Sequence, residues 1–416
     1  VPRRVLAVRW PVALGALAAL LAGCAGDYVG RTRGYRQAYE SYQYPAAVQG
    51  FASEVASGPQ IDTLLSMMDE GMVLHASGQL EQSIQVLAQA DKLSERLDFT
   101  SISEEAKVLL SSERERAYRG EDFEKLMIST LQALNYAQLG KDEDALVEVR
   151  RVNERMQRWI NEDKKPYQQL AVSRYLTGVL WEDQGHADDA FIDYMEANNL
   201  AGDLGTLAEP LVRLAKETGR DDALRRLKKQ YPWINPQPLG PQEGQILVVL
   251  EVGKAPIKTN GTRAGGPTAE LIAVPVFRDR PWPRESLVTL DGDPASSVRP
   301  TMVTSLEQVA KIHLDYRVDS LIARQFGALA LRAGLAAGAG AATHSDVVGI
   351  LTFLALSYAN QPDLRSWLSL PAEFQLARYR VPVGQHRLTV VAGGGVRELQ
   401  VDVRPRRVTL VVLRSY

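Results

Sequence analysis

Three glycines, Gly78, Gly140 and Gly185, interrupt long stretches of helical period, and the residues around them recur at fixed offsets. Seven positions before each stands a small residue: Gly71, Ala133 and Gly178. Four positions before stands a larger apolar one: Leu74, Tyr136 and Trp181. After the glycines come Leu87 and Ala90, then Ala145, Val149 and Val152, then Ala190, Tyr194 and Ala197. A weaker fourth copy surrounds Gly219 and Ala223. This pattern is restrictive. A small residue on one helix lets the next helix approach closely, and a glycine between helices takes the positive φ that closes the turn. The region from about 60 to 230 must therefore be a series of antiparallel helix pairs.

The frame resembles the tetratricopeptide (TPR) repeat: a small residue, an aromatic, a turn glycine, then alanine and an aromatic four residues apart. The turn glycines lie 62, 45 and 34 residues apart, so only the last interval has the regular step. The first leaves room for an extra segment between Phe99 and Phe123, where Ser101-Ile102-Ser103-Glu104-Glu105 reads as a helix cap. A TPR-like solenoid over 59–232 would present a concave face to peptides or partner proteins. The alternative is an all-helical bundle with no ligand in its groove.

The N-terminus speaks of compartment. Arg3, Arg4 and Arg9 precede an apolar run from Pro11 to Leu21, too short to span a bilayer and suited to a signal peptide over 1–23. It ends Leu21-Ala22-Gly23-Cys24, which resembles the bacterial lipobox, and Cys24 is the only cysteine. The resemblance implies that Cys24 carries a diacylglyceryl thioether and anchors the chain in a lipid bilayer. Ala25 stands where lipoproteins kept in the inner membrane usually have Asp, which implies the periplasmic face of the outer membrane. Residues 24–58, with Tyr28, Tyr35, Tyr39, Tyr42 and Tyr44, read as a lipid-anchored tether reaching on the order of 100 Å. Those tyrosines would sit at the headgroup level or pack on the first helices.

Residues 233–244, reading WINPQPLGPQEG, form a Pro/Gly linker. Beyond it the periodicity changes. Ile246–Val252 and Ala269–Phe277 read as strands, and Ser286–Leu290 as a shorter one. Met302–Arg332 reads as helix. Apolar stretches Leu329–Ala342 and Val347–Ala359 predict a Gly/Ala-rich helical hairpin over about 327–359, with Gly334 and Gly338 at a helix–helix contact. Neither arm is long enough to be a good membrane span; the hairpin is either buried against protein or inserted in the membrane. Segments 386–392 and 399–403, joined through Gly393-Gly394-Gly395, and then Val408–Leu413 predict a terminal antiparallel meander over 378–413. The fold class expected is α+β: an N-terminal helical solenoid, then a mixed domain spanning 245–416.

Lys and Arg number 48 against 50 Asp and Glu, without the clustered basic surface that nucleic acid needs. The chain shows no serine-hydrolase, zinc-protease, phosphate-loop or dinucleotide signature. His75, His186, His313, His344 and His386 have no ligand spacing, so neither metal, cofactor, catalytic residue nor small-molecule substrate is expected.

Three segments, with the lipobox, resemble a largely uncharacterised family of Gram-negative TPR-containing outer-membrane lipoproteins. They are Phe123–Asn153, the small-residue stretch 327–342, and Asp363-Leu364-Arg365-Ser366-Trp367-Leu368-Ser369-Leu370-Pro371-Ala372. The last is the most specific. Members often stand beside lipoproteins similar to curli-secretion channels or to activators of cell-wall synthases. The resemblance implies a non-enzymatic adaptor among other envelope proteins, or a membrane-inserting component using the hairpin. From its residues, the 363–371 motif reads either as a packing corner in which Asp363 and Arg365 pair, or as a partner contact.

Overall fold

The computed structural model describes residues 27–100, 116–165, 167, 169–261, 274–343 and 362–416. Cys24 with the lipobox, the 101–105 cap and the 344–359 arm of the expected hairpin lie outside the described residues.

The chain starts as helix. After the single turn Tyr28–Arg31 come α1 (Arg33–Glu40) and α2 (Tyr44–Ser57). This corrects the tether reading for residues 27–58. Tyr28 and Tyr39 are each only 1% exposed, and Tyr28 donates to Asp69 at 2.6 Å. Tyr35 lies edge-on to Phe51, and Gly50 leaves room for its ring. Polar composition disguised an amphipathic pair whose aromatic side is buried.

Helix pairs follow: α3 (Thr63–Ala76) with α4 (Leu80–Thr100), α5 (Asp122–Gln138) with α6 (Asp142–Asn161), α7 (Ala171–Asp183) with α8 (Ala187–Ala201), and α9 (Ala208–Glu217) with α10 (Asp221–Gln230). Gly78, Gly140, Gly185 and Gly219 join the members of each pair, all at φ between 66° and 82°. A Cβ on Gly71 would stand 2.5 Å from Leu87, and one on Gly178 2.5 Å from Tyr194. Leu87 and Tyr194 occupy the same repeat position, so the close approach is made twice in the same way. Ala133, Ala145 and Ala190 are fully buried at the remaining contacts. Leu74 is buried, Tyr136 and Trp181 are partly so, and the Arg150 guanidinium lies 5.2 Å from the Trp181 ring. Acidic residues open the second helices, Asp142–Asp144 in α6 and Asp188–Asp189 in α8, where the helix dipole favours them.

The C-terminal part is a sandwich. One sheet has the order β5 (Thr301–Ser305), β6 (Glu373–Pro382), β1 (Glu243–Val252), β9 (Val408–Ser415). The other has β4 (Leu287–Leu290), β7 (Gly384–Ala392), β8 (Gly395–Val403). A separate ribbon pairs β2 (Ile257–Gly261) with β3 (Val274–Arg278). Ile246, Val248 and Leu250 pack with Val288, Leu388, Val390 and Val401 between the two sheets. Leu247 and Val249, pointing the other way, join the core of the helical repeats. Alternation along β1 thus assigns its even residues to the sandwich and its odd ones to the solenoid.

Two expectations need correction. β7 and β8 form the expected hairpin across Gly393 and Gly394, both at positive φ. The terminal meander does not form, because β9 leaves β8 and pairs parallel with β1 in the other sheet. Its apolar run Leu410–Leu413 suits a place beside a strand buried on both faces. The hairpin expected over 327–359 is also not supported. Residues 301–305 are strand, and α11 runs unbroken from Leu306 to Thr343, 38 residues or about 57 Å. Nothing described lies within 4 Å of a Cβ built on Gly334 or Gly338, so these glycines mark no close contact with any described helix. Among the described residues no helix is long and apolar enough to cross a membrane.

The repeat geometry predicts that Gly178→Leu, which drives a branched side chain into the Tyr194 ring, destabilises the chain by ~1–3 kcal/mol. Its thermal midpoint should fall clearly; an unchanged midpoint would refute the close-packing role.

Candidate functional site: the groove between repeats and sheet

In a helical-repeat stack the first helix of each pair lines the concave face, where partners usually bind. Here that face is covered by the chain's own sheet. Residues 123–135 of α5 are buried consecutively, on all sides of the helix. Such a helix must be enclosed between layers. On one side are the other repeat helices, and on the other β9 and the loop before β6. Over α5, the open groove of the sequence reading is therefore filled by the chain's own sheet.

The filling is polar as well as apolar. On α3, His75 is buried between two acceptors. Asn135 donates to Ser83, which fixes its carbonyl oxygen toward His75 Nδ1, while Nε2 faces Glu251 of β1 at 3.0 Å. Both ring nitrogens then donate, the arrangement of a charged imidazolium. Burial alone would lower the pKa of His75, but Glu251 and Asn135 outweigh it and raise it. At the end of α7, Glu182 is buried between Arg378 of β6 at 2.5 Å and Arg213 of α9, and Tyr194 donates to it at 2.7 Å. Burial opposes its charge, but Arg378 and Arg213 prevail and hold it at about 2. Arg378 also donates to Gln245 of β1 at 2.7 Å. Glu251 and Gln245 are the buried polar residues of β1, both odd-numbered and so on the face toward the helices.

The 363–371 motif forms the third clasp. Arg365 is 5% exposed and pairs at 2.7 Å with both Asp62 and Asp363. It also donates to the carbonyl oxygens of Ile61 and Arg116. Trp367, 1% exposed, fills the core; its backbone N–H donates to Glu124 at 2.7 Å and its indole to Ser369 at 2.9 Å. Ser369 donates in turn to Asp69. Pro371 is buried just ahead of β6. Asp363, Arg365 and Trp367 are thus brought together with α3 and α5, and the motif is an internal packing corner. The other reading, a partner contact, finds Trp367 and Arg365 enclosed.

Two neighbouring carboxylates in this seam differ sharply. Glu121 lies between Lys258 and Arg317; burial opposes ionisation, but the two cations bring it down to about 2. Glu124 is pushed up to about 7, chiefly by burial and further by the charge of Glu121, although Tyr118 and two backbone N–H groups donate to it. The pair resembles an acid–base couple in its pKa split, but Glu124 is fully buried and bonded to the fold's own donors. Among the described residues no group of three or more His, Cys, Asp or Glu could hold a metal ion. Of the other histidines, His313 stacks on Tyr167 at 3.6 Å, His386 pairs with Asp291 at 2.8 Å, and His186 precedes α8 in the turn.

No family model matches the chain, and no curated protein matches it. Among solved structures it is similar to MamA AMB-1, with 17% identity over 48% of this chain and 95% of that one and a TM-score of 0.31. A tetratricopeptide repeat protein from Parabacteroides merdae shares 13% identity over 49% of this chain and 67% of its own, with a TM-score of 0.32. A kinesin light chain of Podosopora anserina with nearly identical TPR-like repeats shares 15% over 49% and 92%, also at 0.32. The chain carries TPR-like helical repeats on the strength of its own helix pairs, turn glycines and close contacts.

Two outcomes follow from the seam. Trp367→Ala should cost ~3–5 kcal/mol, the usual loss for a large buried aromatic, read as a lower denaturant midpoint; a change under ~1 kcal/mol would refute its place in the core. Glu124 and His75 both have folded pKa values above their ordinary 4.5 and 6.5. Each binds its proton more tightly when folded, so its contribution is complete below the ordinary value and is lost as pH rises through the folded one. The contribution of these two groups to unfolding free energy should therefore fall as pH rises through 4.5 to 7 and above 6.5, while His313, pushed down to about 4 by burial, contributes in the opposite sense below 6.5. The test is the difference between variant and unsubstituted chain: Glu124→Gln should remove the Glu124 share of that dependence, and an identical slope for the two between pH 4.5 and 7 would contradict the assignment.

Proposed function

We propose that this chain is a non-enzymatic lipoprotein, anchored through Cys24 on the periplasmic face of the outer membrane. It serves as a protein-interaction adaptor in an envelope assembly such as a secretion or cell-wall synthesis complex. The observation that carries the adaptor reading is where apolar surface remains. The concave groove is occupied internally, so a partner must use another face. On the second helices of two successive repeats, Val147 and Ile192 are each 50% exposed. Each stands seven residues after its turn glycine, so the repeat places both on the outer side at equivalent positions. Two large aliphatic side chains in register form a ridge suited to a partner protein.

The anchor reading rests on Leu21-Ala22-Gly23-Cys24. With residues 27–58 folded rather than extended, only the residues from Cys24 to Asp27 would separate lipid from folded body, about 10 Å at full extension. The adaptor would then work close to the bilayer rather than at the end of a long tether.

Cells fed labelled palmitate should label the protein, and Cys24→Ala should abolish the label. Persistent label in the variant would overturn the anchor. Val147→Glu with Ile192→Glu should remove crosslinked partners in intact envelopes while leaving the thermal midpoint within about 0.5 kcal/mol of equivalent stability, as for other surface changes. Unchanged crosslinks would overturn the ridge.

A further inference from the structure

The far end of the helical stack carries a second exposed feature that the adaptor reading does not use. Trp233 is 72% exposed, more than any other large hydrophobic side chain among the described residues. Its position is held. Tyr231 just before it is buried, donates to Asp203 and lies edge-on to the indole at 5.9 Å. Pro236 just after it is buried, and its carbonyl accepts from Lys216 at 3.2 Å. The indole is thus displayed on a pinned segment.

Beside it ends α10. Leu227 is buried, whereas Arg225, Arg226, Lys228 and Lys229 are exposed. Arg225 pairs with Asp222 one turn earlier. Among the described residues, no ion pair is made by Arg226, Lys228 or Lys229. Lys228 and Lys229 close the helix, while Asp221 and Asp222 stand at its start, so the cations gather at the end that carries the indole. A solvated capping helix would account for the charges, but it leaves an outward tryptophan unexplained. Together, cations and an amphipathic indole match the two layers of a lipid interface: phosphates outside, the carbonyl and acyl boundary beneath.

We propose that the last turn of α10 and Trp233 form a docking surface for an anionic phospholipid bilayer, with Lys228 and Lys229 on headgroup phosphates and Trp233 at the headgroup level. This contact lies at the opposite end of the repeat stack from residue 27. It is independent of acylation.

The test uses the chain from residue 25 onward, which contains the whole described body and lacks Cys24. It should sediment with phosphatidylglycerol/phosphatidylcholine vesicles, more weakly with added salt, and not with phosphatidylcholine alone. Tryptophan emission should shift to the blue on binding, and Trp233→Phe should lose that shift. Lys228→Gln and Lys229→Gln should each weaken partitioning about fivefold, as expected for one surface cation. Far-ultraviolet circular dichroism of the variants would show that the fold is kept. Absence of binding, equal binding to neutral vesicles, or undiminished binding when Trp233→Phe, Lys228→Gln and Lys229→Gln are combined would overturn the proposal. None of these results would bear on palmitate labelling of Cys24 in the full chain.

Discussion

Burial of β1 on both faces is the constraint on which the rest of the structure depends. One face, Ile246, Val248 and Leu250, closes the sandwich; the other, Leu247 and Val249, closes the helical repeats. A strand with two dry faces merges what reads in sequence as two domains into a continuous packing. It explains why β9 joins β1 rather than β8, and why α5 is buried on every side. It also explains why, among the described residues, the chain's own sheet lies against the groove of the stack.

Polar groups set how the two halves meet. Apolar contact is non-directional and would tolerate a sliding sheet. His75–Glu251, Glu182–Arg378 and Arg365–Asp62 do not tolerate it, because moving one partner strands the other charge away from water. Each of these links joins the helical part to a different segment: β1, β6 and the 363–371 loop. Together they define one register. The placement of Arg365 and Trp367 in this seam gives the 363–371 motif a structural reason to be so particular in composition.

The outward surface follows from the inward one. With its usual groove filled, the repeat stack presents its second helices and its ends. Val147 and Ile192 occupy one side, and Trp233 with the α10 cations one end. A lipid on Cys24 would hold the other end near the bilayer. The adaptor proposed above would display its binding features on a rigid exterior instead of enclosing a peptide.

The helical repeats were legible in the sequence because their signal is local. Gly78, Gly140 and Gly185, with Gly71, Ala133 and Gly178 seven residues earlier, dictate turn and close approach without reference to anything distant. The β7–β8 hairpin was legible for the same reason, through Gly393 and Gly394. The helical fold of residues 27–58 was hidden by polar composition, although Tyr35 and Tyr39 stand one helical turn apart. The partner of β9, the enclosure of α5 and the inward turn of the 363–371 motif were decided only in the tertiary structure. Each depends on contacts between segments well over a hundred residues apart, as are Tyr39 and Ser369 or His75 and Glu251. A local pattern states which face of an element is apolar, but not which other element will cover it.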